Sequence, residues 1–207
     1  MRLNDNLLEL LSVQQRQLIQ SRPTSLKSIS MLATKTMSGG TPSRKVNSYW
    51  LDGTIPWLKT KEIGDIVASF PEEFITEFGL ENSAAKMMPA NSVVVAMYGN
   101  TSGEVSWLPF ESTMNQATYS IDSSVNEYIY VYLRNAKQEL QNMATGSAQQ
   151  NLSKKVLDAY EIPVPDDEHL DRFSRLAKPV MLKIGQNAKQ IQTLVSLRDR
   201  LLEKLLG

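Results

Sequence analysis

The amino-acid sequence predicts an α+β fold, in which a β-rich domain with a few helices is followed by a long C-terminal coiled-coil helix. Residues 23–165 alternate short β-prone runs with turn-forming residues, which is typical of strands joined by tight loops. Residues 166–207 instead carry apolar residues at alternating steps of three and four, the spacing of a heptad repeat. We therefore divide the chain into an N-terminal helix (1–22), a β-rich domain (23–165) and a C-terminal helix (166–207).

The composition excludes several classes of site. The chain has 207 residues with no cysteine and a single histidine, so disulfides, cysteine-ligated zinc, thiolate catalysis and histidine-rich metal sites are excluded. Its formal net charge is zero, which neither indicates nor excludes nucleic acid, because a neutral chain can carry a local basic face. No run approaches the roughly 18 apolar residues of a membrane span, and the first residues do not resemble a signal peptide. We expect a cytoplasmic protein that does not contact a membrane.

The N-terminal helix is predicted over residues 4–20. Asn4 or Asp5 can cap it, and its leucines recur on one side. The helix is expected to end before Pro23, because proline disfavours helical backbone at the residue that precedes it. This segment either covers the C-terminal helix or packs on the β-rich domain.

Three elements are predicted inside the β-rich domain. Residues 92–99, "SVVVAMYG", are β-branched and bounded by turn residues, which indicates a buried strand. Residues 112–121, "STMNQATYSI", are a second strand candidate. Residues 126–143 predict a helix whose tyrosines pack in the core, and a Thr-Gly-Ser sequence ends it.

The loop "YGNTSGEV" raises the question of a phosphate site. Gly99 and Gly103 match neither the P-loop nor the dinucleotide-binding pattern, and no lysine follows to meet a phosphate. The glycines therefore favour a hairpin turn with left-handed backbone. No zinc-protease pattern, nucleophile elbow or calcium loop is present, and the adjacent carboxylates Glu72 and Glu73 are interpreted as solvated loop residues. The sequence predicts a protein without a catalytic site of its own, although a hydrolase that uses this loop with an acidic base remains an alternative.

The C-terminal heptad pattern predicts a helix that pairs with another helix. A helix from residue 168 to the end would be about 58 Å long, more than a β-rich domain of this size would cover. The alternative is an amphipathic helix packed on its own domain, and Pro179 either kinks the helix or begins its longer part. The residues predicted to contact a partner helix are Phe173, Val180, Ile184, Asn187, Ile191, Leu194, Leu201 and Leu205. Among them Asn187 is polar, and a polar residue on such a face can fix register and partner.

Five motifs in order resemble one protein family. They are "SGGTPS" (38–43), "YWLDGTIPWLKTKEI" (49–63), "VVVAMYGNTSGEV" (93–105), "MNQATYSI" (114–121) and "GSAQQNLSKKVLDAYEIPVPD" (146–166). Together they resemble a target-recognition domain from the specificity subunit of Type I restriction–modification systems. The closing heptad helix resembles the spacer helix that follows such a domain. The resemblance covers nearly the whole chain from about residue 24.

The resemblance implies a non-catalytic subunit that recognises double-stranded DNA. In such systems separate methyltransferase subunits bind S-adenosylmethionine and modify adenine, and restriction–translocase subunits can join them, so this chain is expected to bind no cofactor or metal itself. Family members usually carry two recognition domains and two spacer helices, whereas this chain has one of each. We therefore expect a half-subunit that forms a homodimer through antiparallel helices and reads an inverted-repeat, bipartite site. The alternative is an interaction or decoy protein that binds modification subunits through its coiled coil without directing modification.

The candidate DNA-contacting residues are amide, hydroxyl and basic side chains on predicted loops. Lys59 and Lys61 are favoured, because alternate residues of an extended segment face the same way. The three tryptophans are interpreted as core residues. The candidates are Lys35, Arg44, Lys45, Lys59, Lys61, Asn100, Thr101, Ser102, Gln149, Gln150, Asn151, Lys154 and Lys155.

Overall fold

The computed structural model describes residues 2–144 and 151–206 of the chain. The helices are α1 (Arg2–Ser21), α2 (Ile29–Leu32), α3 (Glu77–Glu81), α4 (Asn126–Asn135), α5 (Lys137–Met143), α6 (Lys154–Ala159) and α7 (Asp167–Leu206). The strands are β1 (Ser25–Ser28), β2 (Lys35–Ser38), β3 (Ile55–Leu58), β4 (Phe74–Ile75), β5 (Ser92–Ala96), β6 (Val105–Leu108), β7 (Thr113–Met114), β8 (Thr118–Asp122) and β9 (Glu161–Val164). The predicted α+β class is confirmed, with several sheets and a long C-terminal helix.

The central sheet is antiparallel, with strand order β2-β8-β5-β6. Strand β5 is buried on both faces, which explains its uninterrupted apolar run. Val93 and Val95 enter one hydrophobic cluster, while Val94 and Ala96 enter another on the opposite face. Successive side chains of a strand point to opposite faces, so a strand covered on both sides cannot alternate with polar residues.

Helices cover one face of this sheet and share its core. α1, α4 and the first half of α7 contact one another, and their buried residues join those of the sheet in a single cluster. Leu11 of α1, Tyr128 of α4 and Ala177 of α7 are fully buried there. The N-terminal helix is therefore part of the same packed body as the β-rich domain.

The opposite face of the central sheet meets a small sheet with order β4-β3-β7. Strand β3 pairs antiparallel with β4 and parallel with β7. Leu58 at the end of β3 and Met114 of β7 contribute to the core beneath the central sheet, while Ile55 and Trp57 pack on the outer side of β3. This sheet carries the loops of residues 40–90 that hold several candidate DNA contacts.

Strands β1 and β9 form a separate antiparallel pair, which brings together the two ends of the β-rich region. Ser25 lies opposite Val164, so the region's entry and exit lie side by side, just before α7 begins.

Two predicted elements are interrupted. The strand expected over 112–121 is divided into β7 and β8, because the Asn115 side chain accepts hydrogen bonds from the Ala117 N–H and the Thr118 hydroxyl and forms a turn. The helix expected over 126–143 is divided into α4 and α5 at Ala136, whose backbone leaves the helical region (φ −86°, ψ 11°). Its tyrosines are core residues as predicted, since Tyr128 and Tyr130 are fully buried.

Helix α7 is continuous through Pro179 and spans 40 residues, or about 60 Å. Its first half is buried against the rest of the chain, with Leu170, Ala177 and Ile184 in the shared core. From residue 189 to 205 every side chain is exposed. We call residues 189–206 the exposed arm. No helix in the described ranges is both long and apolar enough to cross a membrane.

Candidate nucleic-acid interface

Three of the predicted DNA-contacting cations converge on two neighbouring carboxylates. Arg44 and Lys59 both form ion pairs with Glu73, and the Lys61 ammonium lies 2.5 Å from a carboxylate oxygen of Glu72. We call these five residues the charge cluster. It lies beside the β3–β4 edge of the small sheet, since Glu72 and Glu73 immediately precede β4.

The two carboxylates of the charge cluster and their lysine partners differ in exposure, while the Arg44 side chain is 53% exposed, much like that of Lys61. The side chains of Lys59 and Glu73 are 25% and 29% exposed, whereas those of Lys61 and Glu72 are 52% and 79% exposed. Burial favours a higher pKa for Glu73, but hydrogen bonds from Lys59 and Arg44 outweigh it and hold that pKa below the ordinary value. The hydrogen bond from Lys61 likewise lowers the pKa of Glu72. Both carboxylates are therefore ionised at neutral pH.

Aromatic rings fix the position of Arg44. Its guanidinium carbon lies 3.5 Å from the centre of the Trp50 ring and 5.0 Å from that of Trp57, within cation–π range. The Trp57 ring N–H donates to the Gly40 carbonyl at 3.1 Å, and that ring is almost fully buried. A guanidinium stacked on Trp50 and paired with Glu73 holds this side of the cluster rigid. Trp50 is half-buried, whereas Trp57 and Trp107 are core residues as predicted.

Lys59 and Lys61 do not lie on one extended segment, contrary to the prediction. Residues Thr60–Glu62 form a 3₁₀ turn rather than an extended segment. The Glu62 side chain closes this turn by accepting a hydrogen bond from the Lys59 N–H at 2.7 Å. The two lysines lie on the same part of the surface because they form ion pairs with the adjacent residues Glu73 and Glu72.

The loop between β5 and β6 is a hairpin turn, as the glycine pattern predicted. Gly99 and Gly103 have φ values of +73° and +81°, in the left-handed region that favours glycine. Asn100 is exposed and Thr101 is half-buried. Ser102 is fully buried and its hydroxyl donates to the Met97 carbonyl at 3.1 Å, so in this structure it closes the turn rather than presenting its side chain at the surface.

Lys154 and Lys155 have different surroundings on α6. The Lys154 ammonium donates to the Thr36 hydroxyl at 2.8 Å and lies 2.5 Å from a carboxylate oxygen of Asp158. The other Asp158 oxygen accepts hydrogen bonds from the hydroxyls of Thr36 and Tyr119, both at 2.8 Å. Lys154 is therefore part of a network that fixes α6 on β2 and β8, whereas Lys155 is exposed.

The remaining candidates lie on separate elements. Lys35 and Lys45 are exposed, at the start of β2 and in the loop after it, and Asn151 is exposed. Gln149 and Gln150 lie outside the described residues. The structure thus brings three of the predicted cations together and leaves the others dispersed. Across the described ranges, no group of three or more histidine, cysteine, aspartate or glutamate side chains could hold a metal ion.

The predicted partner-helix residues divide into two groups. Phe173 and Ile184 are buried in the chain's own core rather than presented at the surface to a second chain. Val180 packs against the same core. The Asn187 amide donates to the Asn4 side-chain oxygen at 2.8 Å, so it ties α7 to α1 rather than to a partner.

The other four predicted residues, Ile191, Leu194, Leu201 and Leu205, are exposed on the arm. The sequence did not show whether α1 covers the C-terminal helix or packs on the β-rich domain. The row of apolar residues along one side of α1 was the signal that it packs against another part of the chain.

Comparisons with known proteins agree on one family. A family model described as Type I restriction modification DNA specificity domain matches residues 24–191. The specificity subunit of the Type I restriction enzyme EcoR124I/EcoR124II from Escherichia coli is 28% identical over 161 residues, covering 70% of this chain and 40% of that protein. The MjaIX specificity subunit from Methanocaldococcus jannaschii is 30% identical over 170 residues, covering 79% of this chain and 39% of that protein. The chain therefore spans about 40% of the length of these curated relatives.

The fold agrees with the sequence comparison. The crystal structure of a Type I restriction–modification S subunit from M. genitalium superposes with a TM-score of 0.62 at 16% identity, covering 99% of this chain and 58% of that one. The family model covers most of the chain, and the sequence and fold comparisons lead to the same group of proteins. The chain belongs to the family of Type I restriction–modification DNA specificity domains.

Proposed function

We propose that this chain is a non-catalytic DNA-recognition subunit of a Type I restriction–modification system and acts as a half-size subunit paired with a second copy of itself. Family membership and the similarity to specificity subunits support the recognition role. The observation that carries the pairing is the uncovered apolar face of the exposed arm.

This face continues a surface that is covered elsewhere on the same helix. Phe173, Ala177 and Ile184 occupy the heptad positions that pack on the body of the chain. Further along the same face, Leu194 and Leu205 are 63% and 79% exposed. A row of exposed leucines along a helix is unfavourable in water, at about 25 cal/mol per Å² of apolar area. A second helix laid along the arm removes this cost.

A second copy is the occupant that matches this face. The intramolecular cover ends where α1 begins, because Asn4 of α1 contacts Ile184 and Asn187 of α7. The arm beyond that point has 18 residues and is about 27 Å long. Two arms packed antiparallel cover each other about a two-fold axis and hold the two globular bodies at opposite ends. Two-fold symmetry then dictates an inverted-repeat DNA site, with two half-sites separated by a gap that the arms set.

Loops of the β-rich body supply the proposed DNA contacts. Lysine and arginine side chains fix a protein on phosphates, while amide and hydroxyl groups read base edges. Lys35, Lys45 and Lys155 are exposed cations, and Asn100 is an exposed amide at a hairpin tip. With zero formal net charge the chain has little non-specific attraction for DNA, since phosphate neutralisation provides most of that attraction. Specific binding is therefore expected in complex with methyltransferase subunits, and tight specific binding by the isolated chain at physiological salt would contradict this.

Catalysis belongs to the partners in this proposal. Methyltransferase subunits bind S-adenosylmethionine and modify adenine, and restriction–translocase subunits can join the assembly. The chain itself positions these partners on DNA in the cytoplasm.

The test is to purify the chain alone and after co-expression with methyltransferase subunits, and to measure mass by light scattering at low micromolar concentration. We expect two copies of the chain in both samples, and methyltransferase subunits in the second. Monomer throughout would contradict the pairing. Co-purification with methyltransferase but without sequence-directed methylation would instead indicate a decoy that occupies modification subunits.

A further inference from the structure

The charge cluster contains one ion pair in which both side chains are more than half exposed. Lys61 and Glu72 are both exposed and meet at 2.5 Å. Glu72 lies 11 residues from Lys61 in a loop before β4, and no other described residue forms an ion pair with it. An exposed pair of this kind contributes little to stability, because water and salt compete for both charges.

The second carboxylate near Lys61 is fixed in place. The Glu62 side chain is 5% exposed, and one of its oxygens accepts the Lys59 N–H at 2.7 Å. Its other oxygen is buried, has no hydrogen-bond partner in the described parts of the chain, and lies 3.7 Å from the Lys61 ammonium. A buried carboxylate oxygen needs a positive charge nearby. Glu62 therefore gives the ammonium of Lys61 a second negative charge, at 3.7 Å, that does not depend on Glu72.

We propose that Lys61 is the phosphate-contacting cation of this cluster, and that Glu72 occupies in the free protein the place that a DNA phosphate takes in the complex. An ammonium has three donors, so it can exchange a carboxylate oxygen for a phosphate oxygen and keep its contact with Glu62. The inference rests on the proposed DNA-recognition function and adds the residue and the exchange that it uses.

Arg44 and Lys59 have a different role in this arrangement. Both are bound to the half-buried Glu73, and Arg44 is also stacked on Trp50. Releasing them would leave a partly buried carboxylate without partners, which is costly. These residues position the loop that carries Glu72, and they do not exchange partners with DNA.

The experiment measures DNA affinity of the chain assembled with its methyltransferase subunits, over a series of salt concentrations. The variants are Glu72→Gln, Lys61→Gln and their combination. The matched control is Glu81→Gln, because Glu81 is an exposed carboxylate of the same region that takes part in none of the ion pairs formed by the described residues. Circular dichroism and thermal unfolding establish that each variant is folded.

We expect Glu72→Gln to strengthen binding roughly two- to fivefold relative to Glu81→Gln, because the phosphate no longer competes with a carboxylate. Lys61→Gln should weaken binding to all sequences and reduce the slope of log K against log salt by about 0.9. In the Lys61→Gln background, Glu72→Gln should have no more effect than the control. This dependence on Lys61 distinguishes exchange from a general change of charge.

Three outcomes would overturn the inference. Equal effects of Glu72→Gln and Glu81→Gln would show that no exchange takes place. An unchanged gain from Glu72→Gln in the Lys61→Gln background would show that Lys61 is not the cation involved. If the wild-type assembly does not bind DNA at all, the proposed function itself fails and this inference fails with it.

Discussion

Replacing Leu194 by alanine should weaken self-association by about two orders of magnitude. The substitution deletes three carbon atoms, worth about 2.4 kcal/mol if fully buried at about 0.8 kcal/mol per carbon. Leu194 is 63% exposed in the single chain, so pairing can bury that share, or about 1.5 kcal/mol. A two-fold dimer contains the position twice, which gives about 3 kcal/mol and roughly a hundredfold change in the dissociation constant. Alanine favours helix, so the arm itself should remain helical.

The assay is sedimentation equilibrium over a range of concentrations, with circular dichroism to verify helix content. The matched control is Leu26→Ala, because Leu26 on β1 is 64% exposed and loses the same atoms away from the arm. The control should leave the dissociation constant unchanged. A Leu194→Ala protein that associates as tightly as the control would refute the assignment of the arm as the pairing surface.

Two further predictions concern the scaffold. In urea titrations, Gly103→Ala should lower the free energy of unfolding more than Gly99→Ala does. Both glycines have a positive φ, so both substitutions strain the backbone. Only at position 103 would the added Cβ also lie too close to Gln141, at 2.9 Å. Asp158→Asn should cost about 1–3 kcal/mol, because the Tyr119 hydroxyl loses a charged acceptor. Burial opposes ionisation of Asp158, yet its hydrogen bonds hold its pKa below the ordinary value. The stabilisation by Asp158 should thus be present above the unfolded-state pKa of aspartate and disappear as pH falls through the lower folded-state pKa, a loss that the asparagine variant should not show.

The features predicted correctly from the sequence are those set by local pattern. The run from Val93 to Val95 indicated a buried strand, and the heptad spacing indicated one long C-terminal helix. The glycines of the β5–β6 loop indicated a turn, since a positive φ is a local property of the backbone.

The features missed depend on contacts between distant parts of the chain. The heptad pattern is the same along the whole of α7, so it could not show that Ile184 would be covered by the chain's own body while Leu194 would not. That boundary is set by where α1 begins, through contacts between residues 4 and 187. The carboxylates Glu72 and Glu73 were interpreted as solvated, because their lysine and arginine partners are brought to them only by the pairing of β3 with β4.

Methylome sequencing can test the proposed pairing and recognition together, in cells that co-express this chain with the methyltransferase subunits proposed as its partners and contain no other specificity subunit. A homodimer with two identical reading domains predicts methylated adenines in a bipartite sequence whose two halves are inverted repeats with a constant gap. The Leu194→Ala variant should lose this methylation, while Leu26→Ala should retain it. An asymmetric bipartite sequence, methylation at single half-sites, or no methylation that depends on this chain would contradict the account.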